Sequence, residues 1–208
     1  MKTKKLIYIC LILFIIAFSS VISVSAYVYA HKGLESVPCT IYLANALSSP
    51  AQARCKDAMA TWNETCFSYD CLVYGGTNNV VSCSVEDGMN TISFVDNMET
   101  YLGETHITEK KYTFLWLNWY VVEFDININP DHTWYTNISE TAIALTNYQG
   151  YVDLESVVLH ELGHALGLDH NDTQFYNGQP VVMYPYLASQ TIVRALSEDD
   201  RRGIVDLY

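Results

Sequence analysis

Three of the six histidines in this chain lie within one short stretch of the sequence. They are His160, His164 and His170, and Glu161 directly follows the first of them. Three neutral imidazoles that bind one Zn²⁺ leave a fourth position open, which is typical of catalytic rather than structural zinc sites. A glutamate that is not a ligand can then accept the proton of a zinc-bound water, whose pKa the metal lowers towards neutrality. The spacing therefore predicts zinc-dependent hydrolysis with Glu161 as the base.

A helix followed by a reversal of the chain is needed to bring these histidines together. Residues four apart in a helix differ by about 40° of rotation and about 6 Å of rise, so His160 and His164 share one face. In a continued helix His170 would lie about 9 Å beyond His164 along the axis and would point away from the shared face. Gly167 can adopt the left-handed conformation that ends a helix, so we predict the reversal there.

The remaining segments alternate between strand and helix patterns, which indicates an α+β arrangement. Strands are predicted at 37–47, 71–76, 90–96, 112–119 and 120–129, the last two forming a hairpin around Asn118. Helices are predicted at 49–64, at 154–166 after Asp153 as the N-cap, and from near Ser197 to the end of the chain.

The first thirty residues have the pattern of an export signal. Three lysines precede an apolar run at 6–24, and small residues follow, ending at Ala26 and again at Ala30, either of which fits a cleavage site. The run is about 19 residues, close to the roughly 20 that span a bilayer, so an uncleaved anchor is the alternative. We therefore predict a signal peptide or membrane anchor at 1–30 and a catalytic domain at 31–208.

The charge of the chain limits its partners. Removal of 1–26 removes three lysines and no acid, which takes the formal net charge from −12 to −15. A surface this acidic disfavours nucleic acid and anionic membranes. We expect a secreted monomer that acts on a protein or peptide substrate, or alternatively a membrane-anchored one with its catalytic domain outside.

Five cysteines remain after the signal, and all of them lie in the N-terminal half of the chain: Cys39, Cys55, Cys66, Cys71 and Cys83. An exported chain favours disulfides over free thiols, and an odd number leaves one thiol unpaired. Cys66 and Cys71 would close a short loop, and Cys39 or Cys55 could then pair with Cys83. The spacing alone does not decide the pairing.

The extended pattern His-Glu-x-x-His-x-x-Gly-x-x-His resembles that of the metzincins, a group of zinc endopeptidases. The segment VVMYPY at 181–186 is similar to their methionine turn, with Met183 as the methionine. Within that group, the proline two residues after Met183 is similar to the matrixins, the matrix metalloproteinase type. The segment at 196–208 also resembles the closing helix of matrixin catalytic domains, and EFDININPDHTW at 123–134 resembles a strand and loop of that family.

The resemblance implies a metzincin or zincin-like α+β fold, with a twisted mixed sheet of about five strands, three helices, and zinc in the cleft between two subdomains. It implies an exported endopeptidase that binds an extended peptide along the sheet edge and cuts it by a Glu161-activated, zinc-bound water. Met183 would pack beneath the metal without binding it. Pro185 and Tyr186 would shape the substrate pocket beyond the cut bond, whereas Tyr184 fits a core or surface role equally well.

The chain also departs from the matrixin pattern. Asn171 follows the third histidine, where matrixins have serine. His106 and His132 are isolated in the sequence, so we expect one catalytic zinc and no second, structural zinc. Calcium would suit the many acids, although the sequence identifies no ligands for it. Two other functions stay open: a secreted zinc module that recognises peptides without cutting them, and a hydrolase for another substrate, such as a cell-wall or self-processing amidase.

Overall fold

A central sheet with helices on its apolar face forms the framework of this protein. The structure is a computed structural model, which describes residues 27–66, 70–79, 86–112, 118–138 and 149–208. In chain order the strands are β1 (Val28–Tyr29), β2 (Cys39–Ala44), β3 (Leu72–Asn78), β4 (Asn90–Phe94), β5 (Gly103–Tyr112), β6 (Asn118–Ile128), β7 (Trp134–Tyr135), β8 (Val152–Asp153), β9 (Leu168–Asp169), β10 (Phe175–Tyr176) and β11 (Gln179–Pro180). The helices are α1 (Ser49–Asn63), α2 (Leu154–Ala165) and α3 (Glu198–Leu207).

Five of these strands make the main sheet, in the order β3-β2-β4-β6-β5. The first four are parallel to their neighbours, whereas β5 at the edge is antiparallel to β6. The prediction of a mixed sheet of about five strands with three helices is therefore confirmed for the part of the chain that the structure describes. Helix α2 packs against β5 and β6, so the antiparallel edge strand β5 lies beside the residues that this helix carries.

The core lies between the sheet and the first two helices. Strand β6 turns Phe124, Ile126 and Ile128 towards this core, because alternate side chains of a strand point to the same face. Trp62 of α1 is fully buried there, and its indole N–H donates to the carbonyl of Leu159 in α2 over 2.8 Å. This contact fixes α2, the helix that carries His160 and His164, against α1.

A buried ion-pair group also joins the two helices. Arg54 of α1 lies 2.9 Å from the Glu155 carboxylate, and Arg194 binds both Asp153 and Glu155. Buried charges such as these are tolerated because each is paired and hydrogen-bonded. The group secures the first turn of α2 to α1 and to the segment that precedes α3.

The predicted hairpin lies at a different place in the chain. Its first strand is Gly103–Tyr112 rather than 112–119, and it pairs with Asn118–Ile128, so that Asn118 begins the second strand. Residues 113–117 lie outside the described part of the chain. The misplacement has a physical cause: β5 is an edge strand, where Lys and Glu replace the apolar alternation that marks a buried strand.

The cysteine prediction is confirmed for one bridge and wrong for the other. Cys66 and Cys71 form a disulfide. Cys39 and Cys55 are instead buried free thiols, and the burial raises the pKa of each to about 12. The suggested partner, Cys83, lies outside the described residues. The two thiols act as small apolar side chains in the core.

The described N-terminal residues belong to the same fold. Strand β1 pairs with β9 in antiparallel fashion, and the Tyr27 hydroxyl donates to Asp206 of α3. No helix among residues 27–208 that the structure describes is both long and apolar enough to cross a membrane. The apolar run at 6–24 lies outside those residues, so the division at residue 30 stays a prediction.

Candidate metal centre

The helix α2 begins and ends where its sequence predicts. The Asp153 carboxylate caps its N-terminus by accepting from the Ser156 amide over 3.0 Å. At its other end Gly167 has a φ of +108°, and a Cβ at that position would lie 2.9 Å from the backbone nitrogen of Gly33. Glycine is thus needed both for the backbone conformation and for the close approach of the N-terminal segment.

The reversal after α2 brings the three histidines together. Their candidate ligand atoms all lie within 4.8 Å of one another. The Nε2 atom of His160 is 3.2 Å from Nε2 of His164 and 3.2 Å from Nε2 of His170. Tetrahedral ligands about 2.0–2.1 Å from zinc would be about 3.3 Å apart, so this spacing fits a zinc ion bound by three imidazoles.

Hydrogen bonds determine which nitrogen of the two helical histidines carries the proton. His160 Nδ1 donates to the Val182 carbonyl over 2.7 Å, and His164 Nδ1 donates to the Leu168 carbonyl over 2.8 Å. A carbonyl oxygen can only accept, so both Nε2 atoms present lone pairs to each other across 3.2 Å. Two such lone pairs repel unless a cation lies beside them, which supports a metal ion in this position.

Burial keeps these imidazoles neutral. It lowers the pKa of His160 and of His164 from 6.5 to about 4 in the metal-free protein. The neutral form is the one that binds zinc, because only an unprotonated nitrogen has a lone pair to donate. His170 differs from the other two, since its side chain is exposed and its Nδ1 makes no such bond within the described part of the chain.

Glu161 is buried beside the histidines, with only 6% of its surface exposed. The hydroxyl of Thr105 on β5 lies 2.6 Å from Oε2 of Glu161 and 3.0 Å from its carbonyl oxygen. Burial raises the pKa of the Glu161 carboxyl, and the Thr105 hydrogen bond opposes that rise. A carboxylate with a raised pKa is suited to accepting a proton near neutral pH and then releasing it.

Glu161 and two of the histidines open into a cavity of about 300 Å³. Its lining comes from α2, the following loop, strand β5 and the N-terminal segment: Ala30, His31, Tyr101, Gly103, Glu104, Thr105, Ile107, Glu161, His164 and His170. The sequence did not indicate the contributions from β5 and the N-terminal segment. The alternation of Thr105 and Ile107 with the polar residues Glu104 and His106 was a signal for β5, whereas nothing in the sequence pointed to His31.

The methionine turn lies directly beneath the helical histidines. Met183 is 2% exposed, and a Cβ on Gly163 of α2 would lie 2.3 Å from its sulfur. The amides of Val182 and Met183 donate to the two carboxylate oxygens of Asp200 in α3 over 3.1 and 3.3 Å. The turn therefore connects α2 to α3, and its Val182 carbonyl orients His160.

The predicted pocket residues lie farther out. Tyr186 is 76% exposed, and its ring lies 5.7 Å from that of Tyr184. Neither Tyr186 nor Pro185 lines the cavity, so their roles stay predictions. Among the described residues, the three histidines are the one group of three or more His, Cys, Asp or Glu side chains whose ligand atoms converge.

The fold and the site are those of a metzincin. Three features define this class of protein here: the mixed sheet, the helix with two converging histidines, and the glycine reversal over a methionine turn. The family model described as matrixin matches residues 83–208, which is more than half of the chain. The chain therefore belongs to the matrixin family of zinc metallopeptidases.

Individual relatives match over shorter segments. The chain is 46% identical over 57 residues to the Arabidopsis thaliana metalloendoproteinase 1-MMP, covering 27% of this chain and 14% of that protein. It is 31% identical over 83 residues to metalloendoproteinase 5-MMP of the same plant, covering 40% and 22%. The macrophage metalloelastase of Oryctolagus cuniculus is 42% identical over 76 residues, covering 35% and 15%. The matched segments thus span less than a quarter of the length of these relatives.

Proposed function

We propose that this chain is an exported zinc endopeptidase in which His160, His164 and His170 hold the metal and Glu161 is the base. The observation that carries the proposal is the convergence of three Nε2 atoms beside a buried carboxylate, at a cavity that His164, His170 and Glu161 line. A zinc ion bound there would polarise the scissile carbonyl and acidify water. The relatives named above are metalloendoproteinases and a metalloelastase, which supports a protein or peptide substrate.

Glu161 acts first as the general base and then as the general acid of the reaction. It takes one proton from the attacking water, whose oxygen bonds to the carbonyl carbon of the substrate. It then gives that proton to the amide nitrogen as the C–N bond breaks, so the leaving amine is neutral. Thr105 holds the carboxylate in place over 2.6 Å, and the partial burial of the site strengthens these interactions.

The substrate would lie along β5. This strand pairs with β6 on one side and is the last strand of the described sheet, and its residues Gly103, Thr105 and Ile107 line the cavity. An extended peptide can add to such an edge through main-chain hydrogen bonds, while alternate side chains enter pockets. Pro185 and Tyr186 are proposed to contact the part of the peptide beyond the cut bond.

Export would proceed through the N-terminal signal. Cleavage after Ala26 would keep Tyr27 and β1, which contact Asp206 and β9 respectively, whereas cleavage after Ala30 would remove them. We therefore propose that the mature protein begins at Tyr27. Edman sequencing of the exported protein tests this, and an N-terminus at His31 or an uncleaved chain would contradict it.

The test of the mechanism is Glu161→Gln, which keeps the shape of the side chain but not its basicity. We expect one zinc per chain, as in the parent, and a fall of about 10³-fold in kcat/KM on a quenched-fluorescence peptide library. Glu198→Gln is the matched control, because Glu198 is a half-exposed carboxylate that does not line the cavity. It should keep kcat/KM within about threefold of the parent, the range expected when an exposed charge is lost.

Two outcomes would contradict the proposal. If Glu161→Gln cleaves as fast as the parent, Glu161 is not the base. If the parent binds one zinc but cuts nothing in the library, the chain is a zinc-binding module or a hydrolase for another class of substrate. Chelator treatment of the parent provides the reference rate without metal.

A further inference from the structure

The third histidine lacks the support that the first two possess. His160 and His164 are each fixed by their helix and by a hydrogen bond from Nδ1 to a carbonyl. His170 lies beyond the helix, is exposed, and makes no Nδ1 bond within the described residues. The place of its ring must therefore depend on how firmly the backbone on either side of it is held.

Asn171, the next residue, provides that hold. Its side chain is only 3% exposed, and its Nδ2 donates to Oδ2 of Asp199 in α3 over 2.8 Å. Its Oδ1 accepts from the Thr173 amide over 2.8 Å, and its own amide donates to the Met183 carbonyl over 2.8 Å. The loop of His170 is thus tied to α3, to the methionine turn and to itself through one residue.

The chemistry of the partners determines the orientation of this amide group. Asp199 offers an oxygen that accepts, and the Thr173 backbone offers an N–H that donates, so the Asn171 amide can satisfy both only one way round. A serine at this position has a single hydroxyl on a shorter side chain. Its oxygen would lie nearer the backbone and would have to donate to Asp199 and accept from Thr173 at once, so a serine cannot place its groups where the two amide atoms of Asn171 lie.

We propose that Asn171 is a positioning residue for the metal site, which holds the third imidazole in its ligand position by joining its loop to Asp199 of α3. The proposal rests on the proposed function only in requiring that the three histidines bind zinc. It assigns Asn171 no contact with substrate. Its readout is therefore metal affinity rather than peptidase activity.

The experiment measures the zinc dissociation constant of the exported protein by competition with a chromogenic chelator. We expect Asn171→Ala to weaken zinc binding about tenfold, the lower end of the range for residues that orient ligands from outside the coordination sphere. Asp199→Ala should weaken it to a similar extent. The double variant should be no weaker than the weaker single variant, because both substitutions break the same contact.

Glu198→Ala is the matched control. Glu198 lies next to Asp199 in the first turn of α3, and its exposed carboxylate accepts from Asn177 and Arg202 rather than from Asn171. Its zinc affinity should stay within twofold of the parent. The Co²⁺-substituted proteins add a spectroscopic readout, because a displaced His170 changes the d–d absorption whereas a simple loss of stability does not.

A merely structural role gives a different result. Asn171→Ala would then lower the Tm of the zinc-free protein and leave both the zinc affinity and the Co²⁺ spectrum as in the parent, which would overturn the proposal. If Asn171→Ala does not fold, Asn171→Ser decides: severalfold weaker zinc binding supports the proposal, and parental affinity overturns it. A parent that binds no zinc would overturn the proposed function itself, which distinguishes the two failures.

Discussion

His160 and His164 project from a single helix, whereas His170 lies on a loop that has reversed its direction. The helical pair is placed by local geometry, since any helix puts residues four apart on one face. The third histidine is placed by contacts with distant parts of the chain: β1 pairs with β9 just before it, and Asn171 binds Met183 and Asp199 just after it. The candidate metal site thus has one part that local helix geometry positions and one part that long-range contacts position.

This difference has a consequence for stability and function. Changes within the helical pair should act mainly through the ligands themselves, whereas the loop can be disturbed from the N-terminal segment or from α3. One approach of the second kind is that of Gly33 to Gly167, where a Cβ on Gly167 would lie 2.9 Å from a backbone atom. Backbone atoms cannot move aside as a side-chain end can.

Gly167→Ala should therefore have the largest effect among the changes that test this comparison. It combines an unfavourable φ of +108° with a clash against backbone. We expect a loss of about 3 kcal/mol in the free energy of unfolding of the zinc-free protein, measured by urea denaturation.

The control for this change is Gly178→Ala in the β10–β11 turn. Gly178 also has a positive φ, +79°, but nothing lies within 4 Å of a Cβ there. It should cost about 1 kcal/mol, the cost of the left-handed conformation alone. If the two variants lose the same free energy of unfolding, the approach of the N-terminal segment contributes nothing. The loop of His170 would then not depend on that segment.

Thr105→Val tests an intermediate case, because Glu161 lies on the helix while its carboxylate is held by the sheet. The substitution keeps the shape of the side chain and removes the hydroxyl that lies 2.6 Å from Oε2. We expect kcat/KM to fall about tenfold, in keeping with about 1.5 kcal/mol for a hydrogen bond to a charged group. Thr105→Ser restores the hydroxyl and should return most of the rate; equal rates for Val and Thr would show that the helix alone positions Glu161.

The same division explains how much the sequence could predict. The position of α2, its Asp153 cap, the Gly167 reversal and the start of α3 next to Ser197 are confirmed, because each depends on residues adjacent in the chain. The contact of Asn171 with Asp199 spans 28 residues, and no local pattern indicates it. The departure from the matrixin serine was visible in the sequence, but its reason becomes clear only in the packed structure.

Strand β5 and the cysteines were predicted less well for related reasons. The strand carries charged residues at the sheet edge, so its alternation is weak, although it supplies Thr105 to the site. The predicted export signal favoured a disulfide between Cys83 and either Cys39 or Cys55, yet Cys39 and Cys55 are both packed in the core as thiols. The cellular compartment and the composition predict that cysteines tend to form disulfides. Burial and the distance between two thiols determine whether a given cysteine does so.

Gly163→Ala should have the smallest effect. It tests whether the positions of His160 and His164 depend on the helix alone or also on the methionine turn. Gly163 lies between the two histidines, and a Cβ there would meet the Met183 sulfur at 2.3 Å and the Trp62 ring at 3.0 Å. Alanine gains about 1 kcal/mol in helix propensity, but overpacking costs about 2 kcal/mol, so we expect a net loss of about 1 kcal/mol in urea denaturation. In a Met183→Ala background the sulfur is gone, and the loss should shrink below about 0.5 kcal/mol. An unchanged loss in that background would place the constraint at Trp62, and the methionine turn would then matter to the helical pair only through the Val182 carbonyl that orients His160.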